Sequence, residues 1–386
     1  MVYPERITQA RELAGLSKTE LAAQLGVSVA AVAQWENGVK NPALDNLSQI
    51  ASRLNVSVRF LMTEMPPYVK RKGPLTFRAL TSAKTRRLNK KASSLADLSI
   101  EVFRWLSTYI AFPVAQIPSL EMKENYTKDD LESIASECRS FWGLGNRPIH
   151  KLGELIQSKG ILVAKAALGD ERFDAFSCVI DGSPIIFLGS EKQDRARSRF
   201  DAAHEWAHIV LHQHLTDSDL LEKSVHDQIE YEANYFASAF LLPKDSFSED
   251  IEDITLNGFL KLKAKWGVSA QAMIHRAWDL QLIDQITYRN LFRAAAARGM
   301  RKAGGEPYDD LVPELSLGMA RKSLELLEAS QILKRTDLAE ILPYPPEIFI
   351  SAFSLNADEL ASPPPQIIRF PALYSVPNYV KPEEAG

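Results

Sequence analysis

Between residues 5 and 64 the apolar positions fall three and four apart in short bursts, the period of amphipathic helices, and the first three bursts end on a glycine. Gly15 closes the first predicted helix, and Ser17 with Glu20 forms a capping box that opens the second. Gly26 ends that one, Ser28 caps a third, and Gly38 ends the third. Past Pro42, the positions Leu44, Leu47, Ile50, Ala51 and Leu54 predict a fourth helix. Pro66-Pro67 breaks the pattern and Lys70-Arg71-Lys72-Gly73-Pro74 starts a basic connector. Leu95, Leu98, Val102, Leu106 and Tyr109 mark one more amphipathic helix before a stretch punctuated by Pro113 and Pro118.

From Thr127 the pattern resumes, with one helix to Phe141 and another from Ile149 to Gly160. The period then shortens to that of strands over Ile161–Lys165, Phe173–Ile180 and Pro184–Leu188, with Asp181-Gly182 as a hairpin turn. Helices are predicted over Asp194–His212, Val225–Leu242 and Leu256–Arg298, the last broken at Gly267. Further helical stretches follow Gly304, and Pro363-Pro364-Pro365 opens a proline-rich tail. The organisation read from these patterns is multidomain. An all-α helix-turn-helix bundle (1–66) precedes a basic, helical linker region (67–126), an α+β domain (127–303) and a helical C-terminal extension (304–386).

Composition narrows the class. The chain has 386 residues, 46% hydrophobic and 24% charged, enough for two or three domains with cores. A run of about 18 apolar residues is lacking, so no membrane span is expected. The first residues lack the pattern of a secretory signal, and two cysteines, Cys138 and Cys178, make no disulfide framework; both point to the cytoplasm. The net charge of −4 hides an asymmetry: residues 1–90 hold 14 Lys/Arg against 6 Asp/Glu, which favours contact with a polyanion.

The predicted helix over 194–212 carries His204-Glu205-Trp206-Ala207-His208, an HExxH pattern. Positions i and i+4 share a helix face, so the two imidazoles converge on one ion, and Glu205 stands where it can act as general base on a water. A catalytic zinc needs a third protein ligand. His214 has the spacing of a longer histidine motif but lacks the helix-breaking glycine, since position 211 is Leu. His212 lies a turn too far along and reads as a helix-end residue. Glu230 is the better choice, because Asn234 four residues on shares its face and can orient a ligand imidazole from behind. Glu232, on another face, is expected to meet solvent, and Arg276 to lie on the surface. Two histidines and a carboxylate suit zinc, and also manganese or iron(II).

This region resembles the ImmA/IrrE family of zinc metallopeptidases, in which HExxH is followed by a helix reading E-x-x-A-[ND]-x-F-A. His204, Glu205, His208, Glu230, Ala233, Asn234, Phe236, Ala237 and Pro243 carry the match. Phe141-Trp142-Gly143-Leu144-Gly145, Asp174-Ala175-Phe176-Ser177, Lys263-Ala264-Lys265-Trp266-Gly267-Val268-Ser269 and Arg276 extend it. Trp206 departs from the family pattern and is expected to reshape the cleft without touching ligation. The resemblance implies a zincin-like (gluzincin-type) metallopeptidase domain that cuts one partner regulator.

Upstream, Leu16-Ser17-Lys18-Thr19-Glu20-Leu21-Ala22 and Trp35-Glu36-Asn37-Gly38 with Asn41-Pro42 resemble the phage-repressor (XRE, Cro/C1-type) helix-turn-helix family, which implies double-stranded DNA as a partner. The third helix is the expected reader. Val32 and Trp35 point inward, Ser28, Ala30, Gln34 and Asn37 outward to base edges, and Lys18 and Lys40 toward phosphates. Tight binding by so small a reader implies a homodimer or a second contact. Two functions fit the fusion. One is a DNA-binding regulator with a zinc endopeptidase that cleaves a repressor-type partner, or itself, in a stress or phage and mobile-element response. The other is a transcriptional regulator whose zinc domain senses without cutting.

Overall fold

The computed structural model describes residues 1–66, 71–72, 83–166, 169, 175–180, 182–189, 194–216, 219, 222–300 and 304–360. Five helices form the N-terminal bundle: α1 (Pro4–Leu13), α2 (Lys18–Leu25), α3 (Val29–Glu36), α4 (Leu44–Arg53) and α5 (Val58–Leu61). The capping box of Ser17 and Glu20 forms, Ser28 accepts from the Ala31 N–H, and Gly26 and Gly38 take left-handed backbone. Leu47, Ile50, Ala51 and Leu54 are buried, whereas Leu44 stands 81% exposed at the start of α4, before the helix meets the bundle.

A short edge strand β1 (Arg71–Lys72) leads to the long helix α6 (Ala83–Ser107). Next come α7 (Lys128–Phe141), α8 (Leu152–Ser158), β2 (Leu162–Ala166), β3 (Ala175–Ile180), β4 (Ser183–Gly189), α9 (Arg195–Leu211) and α10 (Lys223–Leu241). Strand order is β1-β3-β4-β2; β3 and β4 form the predicted antiparallel hairpin, with Ile180 opposite Ser183, and β2 runs parallel to β4. Helices α11 (Lys244–Glu249), α12 (Leu256–Trp266), α13 (Ala270–Asp279) and α14 (Gln285–Ala297) follow. The stretch expected to break once, at Gly267, breaks twice; the second turn places Gln281 at φ 60°. Gly267 at φ 65° lies so close to Arg199 that an added Cβ would sit 2.6 Å from its Nε. The extension contributes α15 (Met319–Ala329), α16 (Leu338–Ile341) and α17 (Pro346–Phe353), and the proline-rich tail lies outside the described residues.

Period-2 alternation splits the sheet between two cores. Val163, Val179, Ile186 and Leu188 face α7, α9 and α10. Leu162, Ala164, Phe176, Cys178, Ile185 and Phe187 face the other way, into a core shared with α6, α17 and the N-terminal bundle. A buried polar cluster ties the latter three together. The Arg6 guanidinium donates to Glu101 Oε2 at 2.7 Å and to Glu101 Oε1 at 3.0 Å, and the Tyr344 hydroxyl donates to the same carboxylate at 2.5 Å. The fold is thus a helix-turn-helix bundle followed by an α+β unit and a helical extension. Among the described residues no helix is long and apolar enough to cross a membrane.

Candidate metal centre and DNA-facing helix

Helix α9 starts where Asp194 accepts from the Arg197 N–H, and it runs through the core with Ala202, Ala203, Ala207 and Val210 buried. Trp206 is fully buried, its ring stacked 4.5 Å from that of Trp142, so it packs the core. His204 and His208, one turn apart, bring their Nε2 atoms to 3.0 Å. Helix α10 packs on α9 and places the Glu230 carboxylate across both, with Oε2 3.6 Å from His204 Nε2 and Oε1 3.6 Å from His208 Nε2. Zinc bonds of about 2.0–2.1 Å at tetrahedral angles set ligand atoms roughly 3.3–3.5 Å apart, so the three donors fit one ion. Burial pushes the Glu230 carboxyl up, but the neighbouring imidazoles of His208 and His204 outweigh it and hold it at about 2. Burial likewise pushes the His208 imidazole down, leaving a neutral ring able to take a metal.

The Glu205 carboxylate also lies within 4.8 Å of both histidines. One of its oxygens accepts from the Ser177 hydroxyl of β3 at 2.7 Å, and both side chains are buried. In the sequence Ser177 stands out only as the end of the Asp174–Ser177 stretch that resembles the peptidase family, with no role of its own. Its position on the α9-facing side of a hairpin strand was readable from alternation, but the carboxylate it would meet was not.

Behind the cluster, each histidine has its own support. Asn234 Oδ1 lies 3.1 Å from His204 Nδ1, and its amide donates to the Glu230 carbonyl at 2.7 Å. His208 Nδ1 lies 2.9 Å from His212 Nδ1, and His212 Nε2 lies 3.0 Å from Glu232 Oε2. Glu232, expected at solvent, is 1% exposed, because the face of α10 it occupies is covered by the end of α9 and the start of α7. Arg276, expected on the surface, is fully buried and bridges Glu132 and the Leu242 carbonyl. His214 is exposed beyond the end of α9.

On the N-terminal bundle, Val32 and Trp35 are buried while Ser28, Ala30, Gln34, Asn37 and Lys40 are exposed along α3 and the turn after it. Lys18 sits 3.4 Å from the buried Glu36, which also holds Arg11 at 2.6 Å. Residues 1–66 hold six Lys/Arg against six Asp/Glu, so the basic surplus of the first ninety residues lies in 67–90. Part of it is spent within the fold, since Arg87 pairs with Glu20 at 3.0 Å and Lys90 with Glu12 at 3.2 Å.

Residues 156–277 match the family model described as IrrE N-terminal-like domain, a peptidase M78 family, and residues 7–61 match the helix-turn-helix model of the XRE type. No curated protein matches the chain. Every element that supplies the clustered histidines and carboxylates lies inside the first match, and α1 to α5 coincide with the second. The chain therefore joins an N-terminal XRE-type helix-turn-helix domain to an IrrE/ImmA-like M78 peptidase domain, a regulator with a metallopeptidase-type unit.

Proposed function

We propose that this protein is a DNA-binding regulator whose M78 domain is a zinc endopeptidase, with His204, His208 and Glu230 as ligands and Glu205 as general base. The observation that carries the reading is the pair of Nε2 atoms 3.0 Å apart with one Glu230 carboxylate oxygen 3.6 Å from each, and the Glu205 carboxylate alongside. When bound, zinc supplies a Lewis acid that polarises the scissile carbonyl and lowers the pKa of water. Glu205 takes the proton from the attacking water and delivers it to the leaving amine nitrogen, so that the amide is hydrolysed to acid and amine. Ser177 holds the other side of that carboxylate and limits its rotamers. Asn234 fixes the ring of His204.

The substrate is one partner regulator of repressor type, or the chain itself, in a stress or mobile-element response. The helix-turn-helix brings the peptidase to double-stranded DNA, with α3 in the major groove. Ser28, Ala30, Gln34 and Asn37 face base edges, Lys18 and Lys40 face phosphates, and a homodimer doubles the contact. Elemental analysis of the purified chain beside His204→Ala and Glu230→Ala variants tests the ligand set. About one zinc per chain, lost in both variants, supports it; zinc retained without Glu230 removes that residue from the set. A Glu205→Gln chain that keeps its metal and still regulates its target genes would replace proteolysis by sensing.

A further inference from the structure

We propose that His212 and Glu232 are positioning residues that fix which nitrogen of His208 faces the metal, through a chain of imidazole, imidazole and carboxylate. This rests on the reading of His204, His208 and Glu230 as zinc ligands. To bind a cation, His208 must present Nε2, the atom 3.0 Å from His204 Nε2, with its lone pair bare, so its proton resides on Nδ1. That proton is donated to His212 Nδ1 at 2.9 Å. His212, accepting there, carries its own proton on Nε2 and donates it to Glu232 Oε2 at 3.0 Å. Glu232 is an acceptor at every atom. Its other oxygen receives the Tyr126 backbone N–H at 2.9 Å and the Gln228 amide at 2.8 Å.

With both rings neutral, the reverse assignment fails. A His208 protonated on Nε2 would need the His212 proton on Nδ1, and the bare Nε2 of His212 would then face a carboxylate at 3.0 Å, acceptor against acceptor. The side chains of His208, His212 and Glu232 are each exposed by 2% or less, so water cannot take over a lost partner. His204 is backed differently. Its partner Asn234 lies at the surface, where water can substitute for the amide. The chain also joins three elements, since His212 caps α9, Glu232 sits on α10 and Tyr126 precedes α7.

The test is zinc affinity of the full chain by chelator competition at constant pH, with cobalt(II) absorption as a report on ligand geometry. His212→Phe fills the space without an acceptor and is expected to weaken zinc binding about 10- to 100-fold, with an altered cobalt spectrum. His212→Gln offers an amide that can accept from His208 and donate to Glu232, and is expected to stay within a few-fold of the parent with its spectrum kept. Wild-type affinity in His212→Phe, or equal losses in both variants, would overturn the proposal and leave the ligand set intact. Absence of zinc binding by the unaltered chain would overturn the ligand reading and this proposal with it. Should His212→Phe not fold, Glu232→Gln decides: several-fold weaker binding supports the chain, and unchanged affinity overturns it.

Discussion

The exposed face of α3 and the crossing of α9 with α10 place their polar groups in opposite settings. On α3 and the turn after it, Gln34 and Lys40 are exposed, and the bundle beneath them is held by Val32, Trp35 and the buried pair of Arg11 and Glu36. At the crossing, Glu205, His208, His212 and Glu232 are buried, and each leans on another polar group. A reader surface can change without disturbing its scaffold, whereas a buried polar cluster is part of what the scaffold packs around. Changes on α3 should alter binding alone, and changes at the crossing should alter chemistry and stability together.

The largest effect expected is at the base. Glu205→Gln should slow peptide hydrolysis by about 10²- to 10⁴-fold, read by mass spectrometry of peptide digests, while zinc content and DNA binding stay unchanged. Activity equal to the parent would remove Glu205 from the mechanism. Second is the joint between the N-terminal bundle and α6. Arg6→Met leaves Glu101 buried without its cation and should cost about 3–5 kcal/mol in urea denaturation. Arg6→Met with Glu101→Leu should recover part of that loss, and a cost as large as the single variant's would argue that the ion pair itself holds the bundle in place.

On the reader face the effects are smaller and of one kind. Gln34→Ala should cost about 1–3 kcal/mol of affinity for DNA selected from a random pool. Its melting should match the parent's, within about 0.5 kcal/mol of stability. A shift in melting as large as the shift in binding would erase the contrast between the regions. Lys40→Ala should weaken binding to all sequences alike and reduce the salt slope by about one.

The smallest effect concerns pH. Burial lowers the pKa of His208 and His212 in the folded protein, so above the ordinary imidazole value of about 6.5 both states are neutral and nothing is gained or lost. As pH falls through that value the unfolded chain takes up protons first, and the metal-free fold weakens. The carboxyls of Glu230 and Glu232, held low in the fold, add their losses only below about 4.3. Thermal melts of the metal-free protein should therefore decline gently between about pH 6.5 and 4.5 and steeply below. A flat profile down to pH 5 would show that the two rings protonate without cost.

Much of this was written locally in the chain. Capping by Ser17, Glu20, Ser28 and Thr127 depends on neighbours three residues away, and the hairpin at residues 181–182 on a two-residue turn, so these features were readable before any packing was known. His204 and His208 share a face by helix geometry alone, and so do Glu230 and Asn234. What a single helix cannot tell is which of its faces will be covered, and by what. Glu232 on α10 and Arg276 on α13, both expected at the surface, are turned inward for that reason: Glu232 onto His212 at the end of α9 and the Tyr126 N–H before α7, and Arg276 onto Glu132 of α7. Ser177 met Glu205 across 28 positions of sequence, and Arg6 met Glu101 across 95. The sequence by itself determined the elements, their caps and the pairs one helical turn apart, because those follow from backbone hydrogen bonding and a fixed period. Only the tertiary structure decided which pairs became a cluster and which polar groups were buried behind it, because that depends on how surfaces distant in the chain exclude water from one another.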